Sequence, residues 1–271
     1  MATINRILLD GDILPYQMGF ASETSTYDTE DGEVHATLGQ AKAHVKGLGA
    51  TMDIFKRTEA EPVSHALRLT KNLLLGVKRK MPNADLLVFL TGSAKDGYDP
   101  NFRIAAATIK PYKGNRVQPK PLHYEDIREY LRSHWGALTT NGYEADDALG
   151  IEQDATSCIA TIDKDLNMIP GFHYNWQKDQ FFEISVPDAI YFFYKQLLTG
   201  DTTDNIQGLP GIGPKKAEKI LSGAVTEFDM YWKCVCAYEN SAYERPMDAL
   251  IENARLLWIQ REIGQLWQPP E

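Results

Sequence analysis

Three short apolar runs constrain what this chain can fold into. Ile4-Asn5-Arg6-Ile7-Leu8-Leu9 closes on Asp10-Gly11-Asp12, Leu86-Leu87-Val88-Phe89-Leu90 closes on Thr91-Gly92, and Ser157–Ile162 closes on Asp163. Runs of this length, bounded by Gly and Asp, read as buried strands. Helical periodicity separates them, at roughly Leu38–Val45, Pro62–Met81, Tyr124–Trp135 and Glu144–Asp154. Strands that alternate with helices predict an α/β fold, a mainly parallel central sheet flanked by helices. From about Pro187 the pattern becomes almost wholly helical. Ile190–Leu198 is apolar on one side, a Gly- and Pro-rich turn follows, and helices run to about Trp267.

This predicts an α/β core at residues 1–186 and a helical region at 187–271, packed on the sheet without a Ser/Gly linker. Tyr191-Phe192-Phe193-Tyr194 reads as helix core rather than a base-stacking platform. Residues 22–33 are polar and acidic, as in an exposed loop or hairpin, and 22–58 carry no readable motif.

A chain of 271 residues can bury a substantial core, and 43% hydrophobic with 24% charged residues suits a globular protein. No apolar run approaches the roughly 20 residues a bilayer requires. Met1 to Arg6 leads straight into a strand and does not read as a signal peptide. Cys158, Cys234 and Cys236 are odd in number and lack C-x-x-C spacing, which points to a reduced, cytoplasmic setting.

The net charge of −9 at first argues against a nucleic-acid partner. The charges are segregated, however. Acids fall in tight clusters, whereas bases gather between Arg103 and Arg132 and again at Lys215–Lys219.

Asp10 ends the first strand, and Asp163 and Asp165 follow the third. In an open α/β sheet the ligand crevice lies beyond the carboxyl ends of the strands, so these acids meet if their strands are parallel neighbours. Glu144-Ala145-Asp146-Asp147 opens a helix and places Glu144 and Asp147 on one face. Acids suit a helix's first turn, but that explains one or two of them, not three in four residues. Asp201 and Asp204, in Gly200-Asp201-Thr202-Thr203-Asp204-Asn205, taken alone read as capping or Asx-turn residues. Gathered in one crevice, so many carboxylates repel unless divalent cations hold them, and all-oxygen donors suit Mg²⁺ or Mn²⁺. Two such ions roughly 4 Å apart can activate water and stabilise a leaving oxygen. His35, His44, His65, His123, His134 and His173 are scattered and offer no competing arrangement.

Gly208-Leu209-Pro210-Gly211-Ile212-Gly213-Pro214-Lys215-Lys216-Ala217-Glu218-Lys219-Ile220-Leu221 has the form of a helix-hairpin-helix at 208–221. Gly211 and Gly213 allow a tight turn, Pro214 suits a first helical position, and the helix start offers free N–H groups to a phosphate. Lys215, Lys216 and Lys219 add charge. Arg103, Lys110, Tyr112-Lys113, Arg116 and Lys120 form a second basic group, read as a gateway at about 103–132 that threads or clamps a single strand.

Together these segments resemble the flap-endonuclease and 5′→3′-exonuclease superfamily, in particular its short phage-type members. The resemblance rests on Leu9-Asp10-Gly11, Tyr112-Lys113-Gly114-Asn115-Arg116, Tyr143 through Asp147, Ile162 through Leu166, and Gly200 through Gly213, in that order. Asn253-Ala254-Arg255-Leu256-Leu257 resembles a later helix of the family.

The resemblance implies a PIN-like 5′-nuclease fold with a C-terminal helix-three-turn-helix region. It implies a metal-dependent hydrolase of DNA phosphodiesters that leaves 5′-phosphate and 3′-hydroxyl ends. Asp10, Glu144, Asp146 and Asp163 would surround a first metal, Asp165, Asp201 and Asp204 would serve a second, and Asp147 would help either. Lys113 and Arg116 would contact the scissile phosphate, with Tyr112 and Arg103 completing the candidate catalytic set. The helix-hairpin-helix would grip duplex DNA and hold a K⁺ ion.

The expected partner is DNA with a 5′ end or flap, or an RNA–DNA hybrid, met by a monomer in the host cytoplasm during phage DNA replication or degradation. The alternatives are an accessory DNA-binding protein without turnover and an RNase of related fold. One departure stands out: the family's second strand ends in an Asp, and here Leu90-Thr91-Gly92 has none. Either Asp96 substitutes for it or the site has one carboxylate fewer.

Overall fold

The computed structural model describes residues 3–270; Met1, Ala2 and Glu271 lie outside the described residues. The chain begins with β1 (Arg6–Asp10), α1 (Ile13–Ala21), β2 (Glu23–Thr29), β3 (Val34–His35), α2 (Leu38–Gly47), β4 (Ile54–Ala60) and α3 (Val63–Lys80). The middle contains β5 (Asp85–Leu90), α4 (Phe102–Ala106), α5 (Tyr124–Trp135), β6 (Leu138–Thr139), α6 (Ala145–Glu152) and β7 (Ser157–Ala160). Then come β8 (Gly171–Asn175), β9 (Gln180–Ile184), α7 (Val186–Thr199), α8 (Pro214–Leu221), α9 (Glu227–Glu239) and α10 (Pro246–Leu257). No helix among the described residues is long and apolar enough to cross a membrane.

The contacts group these elements into two compact units. The first comprises residues 3–12, 77–118 and 136–270, and the second residues 13–76 and 119–135. The helices after Val186 therefore share a unit with the large sheet. The basic stretch at 103–132 is split, with its first part in one unit and its end in the other.

In the first unit six strands lie in the order β6-β5-β1-β7-β8-β9. All neighbours are parallel except the β8–β9 pair, which is antiparallel. This is the mainly parallel α/β sheet expected. Central strands β1 and β7 are buried almost throughout, which is why they read as continuous apolar runs. β8 and β9 were not legible as strands: Gln180-Phe181-Phe182-Glu183 lies at an edge with only Ile184 buried, so no apolar run marks it. Leu8, Phe89, Leu149 and Ile159 join Phe193, Leu197, Leu250 and Trp267 in one core that runs from the sheet into the helices. Phe193 and Tyr194 are fully buried, as a helix-core reading of α7 requires.

The second unit gives structure to the segment that had no motif. β2 pairs antiparallel with β4 from Glu23↔Ala60 to Thr29↔Ile54, and β3 returns along β2. Thr37 starts α2 with a reciprocal cap shared with Gln40. α1 packs on α5, and a Cβ at Gly19 would lie 2.5 Å from that of Pro121, so only glycine permits this approach.

Candidate functional site

The acids gather because parallel strands end together. β6, β5, β1 and β7 all run the same way, so Asp10, Thr91, the start of α6 and the segment after β7 share one edge of the sheet. Asp10 is 2% exposed. Its Oδ1 accepts the Asp12 N–H at 3.2 Å and its Oδ2 the Thr161 hydroxyl at 3.2 Å. The chain beyond β7 then turns on its own side chains: Asp163 N–H donates to the Thr161 hydroxyl, and Asp165 N–H to Asp163 Oδ1 at 2.9 Å.

Electrostatics mark the same group. Burial, with Asp12 and Asp163 nearby, pushes the Asp10 carboxyl up to about 8. Burial and the fields of Asp10 and Asp163 push Asp146 up, and burial does the same to Asp163. Burial beside Asp163 and Asp201 takes Asp165 to about 8. Burial leads each of these shifts, and neighbouring acids without enough opposite charge add to it.

Glu144 differs. Burial alone would raise it, but Lys113 and Arg103 outweigh burial and hold it at about 2. The Lys113 ammonium donates to Glu144 Oε1, and the Tyr112 hydroxyl lies 2.8 Å from Glu144 Oε2 and 2.8 Å from Asp204 Oδ2. Arg116 donates to Asp204 Oδ1 at 2.8 Å. The backbone locks this arrangement turn against turn. Lys113 N–H donates to Asp204 O, Asn205 to Pro111 O, and Asn115 to Thr202 O. Lys113 and Asn205 both take positive φ, 55° and 61°, a conformation uncommon for lysine. Asp201, 6% exposed, pairs its backbone with Ile206 and accepts the Thr203 N–H at 2.7 Å.

Asp147 and Arg103 form a buried pair beside the rest, with Arg103 Nη1 also 3.6 Å from Glu144 Oε2. Asp147 is completely buried, and Arg103 grips it with two hydrogen bonds of 2.6 and 2.8 Å. The carboxylate also accepts the N–H groups of Glu144 and Gln260. Arg103, 2% exposed, further donates to the carbonyls of Leu256 and Trp258. With its donors and acceptors spent in this way, the pair fastens α4, the start of α6 and the segment after α10 to one another.

Thr91 directly follows β5 and is held by two contacts of the site. Its hydroxyl accepts the Ala145 N–H at the start of α6, and its N–H donates to both oxygens of Asp12 at 3.1 and 3.2 Å. The carboxylate that meets this strand end is therefore Asp12. Asp96 lies exposed on a short 3-10 turn. The signal for Asp12 was the Asp-Gly-Asp spacing itself, read only for its first acid. Gln196 was also missed: an amide within the apolar run of α7, 7% exposed, it donates to Asp165 Oδ1 at 2.9 Å and lies 3.5 Å from Asp201 Oδ2.

Among the described residues, no three acidic, histidine or cysteine side chains as placed converge closely enough to hold one ion. Glu144 and Asp204 face cationic partners instead. The donor set is nevertheless all oxygen, and several of its carboxylates are pushed upward by burial and by neighbouring acids. Lowering that repulsion is what a hard divalent cation does, so the residues fit one.

In the helix-hairpin-helix, Gly208 and Gly211 take positive φ, 57° and 76°, and Pro214 opens α8 after Gly213. Lys215 and Lys219 are exposed, and Lys216, also exposed, reaches back to Gly211 O at 2.9 Å. A groove of about 540 Å³ lined by Leu209, Ile212, Ile220 and Trp232 holds no carboxylate.

No protein-family model matches the chain. A DNA polymerase I of Rhizobium leguminosarum is 37% identical over 131 residues, 41% of this chain and 13% of the polymerase. One of Pseudomonas aeruginosa is 28% identical over 183 residues, 58% of this chain and 19% of the polymerase. The chain thus spans less than a fifth of the length of these relatives. Among solved structures it is similar to the T5 5′-exonuclease with divalent zinc ions bound, at TM-score 0.56 and 16% identity over 93% of this chain and 89% of that one. It is also similar to the bacteriophage T5 flap endonuclease in a complex with DNA and metal ions, at TM-score 0.51 and 16% identity over 72% and 80% of the two chains. The resemblance read from the motifs thus extends to the architecture, which is that of the T5 5′-exonuclease.

Proposed function

We propose that this chain is a divalent-cation-dependent 5′-nuclease that hydrolyses DNA phosphodiesters at or near a 5′ end, leaving 5′-phosphate and 3′-hydroxyl products. The observation that carries this reading is the cluster of buried carboxylates, Asp10, Asp146, Asp163 and Asp165, raised by burial and then by neighbouring acids, at the carboxyl edge of the sheet beside Lys113 and Arg116.

Asp10, Glu144, Asp146 and Asp163 would hold a first Mg²⁺ or Mn²⁺, and Asp165, Asp201 and Asp204 a second, with Asp12 supplying the acid at the end of β5. Asp147 and Arg103 are given a positioning role, Arg103 also standing 3.6 Å from Glu144 and helping to keep it ionised. When bound, such ions lower the pKa of a water and stabilise charge on the leaving oxygen. Lys113 and Arg116 orient and neutralise the scissile phosphate, and Tyr112 donates a hydrogen bond beside it. Lys215, Lys216 and Lys219 hold the duplex backbone, with Gly211 and Gly213 letting a phosphate, or a K⁺ ion on the turn's carbonyls, approach closely.

The DNA partner and the divalent ions in the bound T5 structures support this reading. An RNA–DNA hybrid is a second substrate of the same chemistry, and a monomer acting in phage DNA replication or degradation is the setting it suits.

Cleavage of a 5′-labelled duplex and a 5′-flap substrate, with Mg²⁺ and then with EDTA, tests the proposal. Short labelled products that require the metal are expected, and their lengths separate exonucleolytic from flap cutting. Binding without cutting in Mg²⁺ and in Mn²⁺ would leave a DNA-binding accessory protein.

A further inference from the structure

Only one end of the Gln196 amide is hydrogen-bonded. Its Nε2 is placed between Asp165 and Asp201, but its Oε1 is buried and accepts no hydrogen bond. A buried amide oxygen left without a donor is costly, and such exceptions call for a ligand. Turning the amide over would only set that oxygen against two carboxylates. Gln196 lines a cavity of about 30 Å³ together with Glu144, Asp146, Asp165, Asp201 and Asp204. That is room for a water molecule or a cation. Tyr112 and Arg103 line it too, but the Tyr112 hydroxyl is engaged by Glu144 and Asp204 and Arg103 by Asp147, so Gln196 holds the one uncharged side-chain oxygen of this lining without a hydrogen bond.

We propose that Gln196 is the uncharged ligand of the second cation site, turning its Oε1 to the ion or to a water the ion carries while its Nε2 spaces Asp165 and Asp201. A neutral oxygen completes the coordination of a hard cation without adding to the negative charge already there. The proposal rests on the two-ion nuclease reading and goes beyond it, because it assigns a ligand outside the acidic motifs.

The test counts Mn²⁺ ions bound by the full chain, by calorimetry and by electron paramagnetic resonance of free Mn²⁺, alongside DNA cleavage. The wild-type chain is expected to bind two ions. Gln196→Met should retain one at wild-type affinity and weaken the other at least tenfold. Gln196→Glu keeps the oxygen and loses the N–H, and should bind the second ion at least as tightly as wild type.

Two ions at wild-type affinity in Gln196→Met would overturn the assignment, and so would equal weakening in both variants, which would leave Gln196 only its spacing contact. Should Gln196→Met fail to fold, a tenfold loss in Gln196→Glu would overturn it alone. Fewer than two ions on the wild-type chain would overturn the two-ion reading and this assignment with it. The expected pattern without any DNA cleavage would overturn the nuclease reading and still support Gln196 as a ligand.

Discussion

Asp163 and Arg103 show how differently two charged residues of one site respond to substitution. Asp163→Asn keeps an oxygen to accept the Asp165 N–H, so the local turn survives while the charge is lost. On the proposed function, cleavage should fall by on the order of 10³-fold, as expected when several kcal/mol of metal-borne stabilisation goes. DNA affinity should change little, and a filter-binding assay beside the cleavage assay separates the two; near-normal turnover would remove Asp163 from the metal set.

Arg103→Met instead strands a completely buried Asp147 without its partner. Breaking a buried pair in this way costs about 3–5 kcal/mol. Urea unfolding should show a loss of that size, and a loss below about 1 kcal/mol would mean that the clamp is not structural.

At the level of elements, α8 and the turn before it are rigid parts with an exposed basic face. Lys215 and Lys216, both exposed, follow a proline-fixed helix start, so their charges stand at the positive end of α8. Replacing both with Ala should weaken duplex binding and flatten the plot of log affinity against log salt by about two counterions. An unchanged slope would take this element away from the DNA.

This turn was plain in the sequence because glycine, proline and lysine leave little freedom in how it is built. The strands β1, β5 and β7 were equally plain, since burial on both faces leaves uninterrupted apolar runs. β2, β4, β8 and β9 were not, because their burial is partial and their residues polar or aromatic. α1 escaped notice for another reason: Pro15 and Gly19 break its helical pattern, although Pro15 stands in the first turn, where proline is tolerated, and Gly19 makes room for Pro121. Within the site, residue types and order revealed the acids, but not who pairs with whom. The Arg103–Asp147 clamp joins positions 44 apart in sequence, and no periodicity links them.

Over the whole molecule, the raised carboxylates oppose the remainder of the fold. Burial, added to by neighbouring acids, gives Asp10 and Asp165 values of about 8, against about 4 in an unfolded chain. A raised carboxyl lends stability that is fully present below its unfolded value and lost as pH rises through its folded one. Glu144, held near 2, works the other way and loses its contribution only as pH falls towards 2. In EDTA the melting temperature should therefore decline between about pH 5 and pH 8.5, and Mn²⁺ should abolish most of the decline by favouring the ionised acids. A melting temperature that is flat or rises over that range in EDTA would show that the acids are not crowded.

The turn-against-turn contact between residues 111–116 and 201–205 has one more consequence. Lys113 and Arg116 already rest on oxyanions, those of Glu144 and Asp204, which stand in for the phosphate they are proposed to meet. A divalent ion that draws these two carboxylates towards itself releases the cations opposite them. Ion and phosphate, which carry opposite charge and use different residues, then help each other to bind, and by linkage each raises the affinity for the other by the same factor. On the proposed function, the basic side chains stay engaged until metal and substrate arrive together.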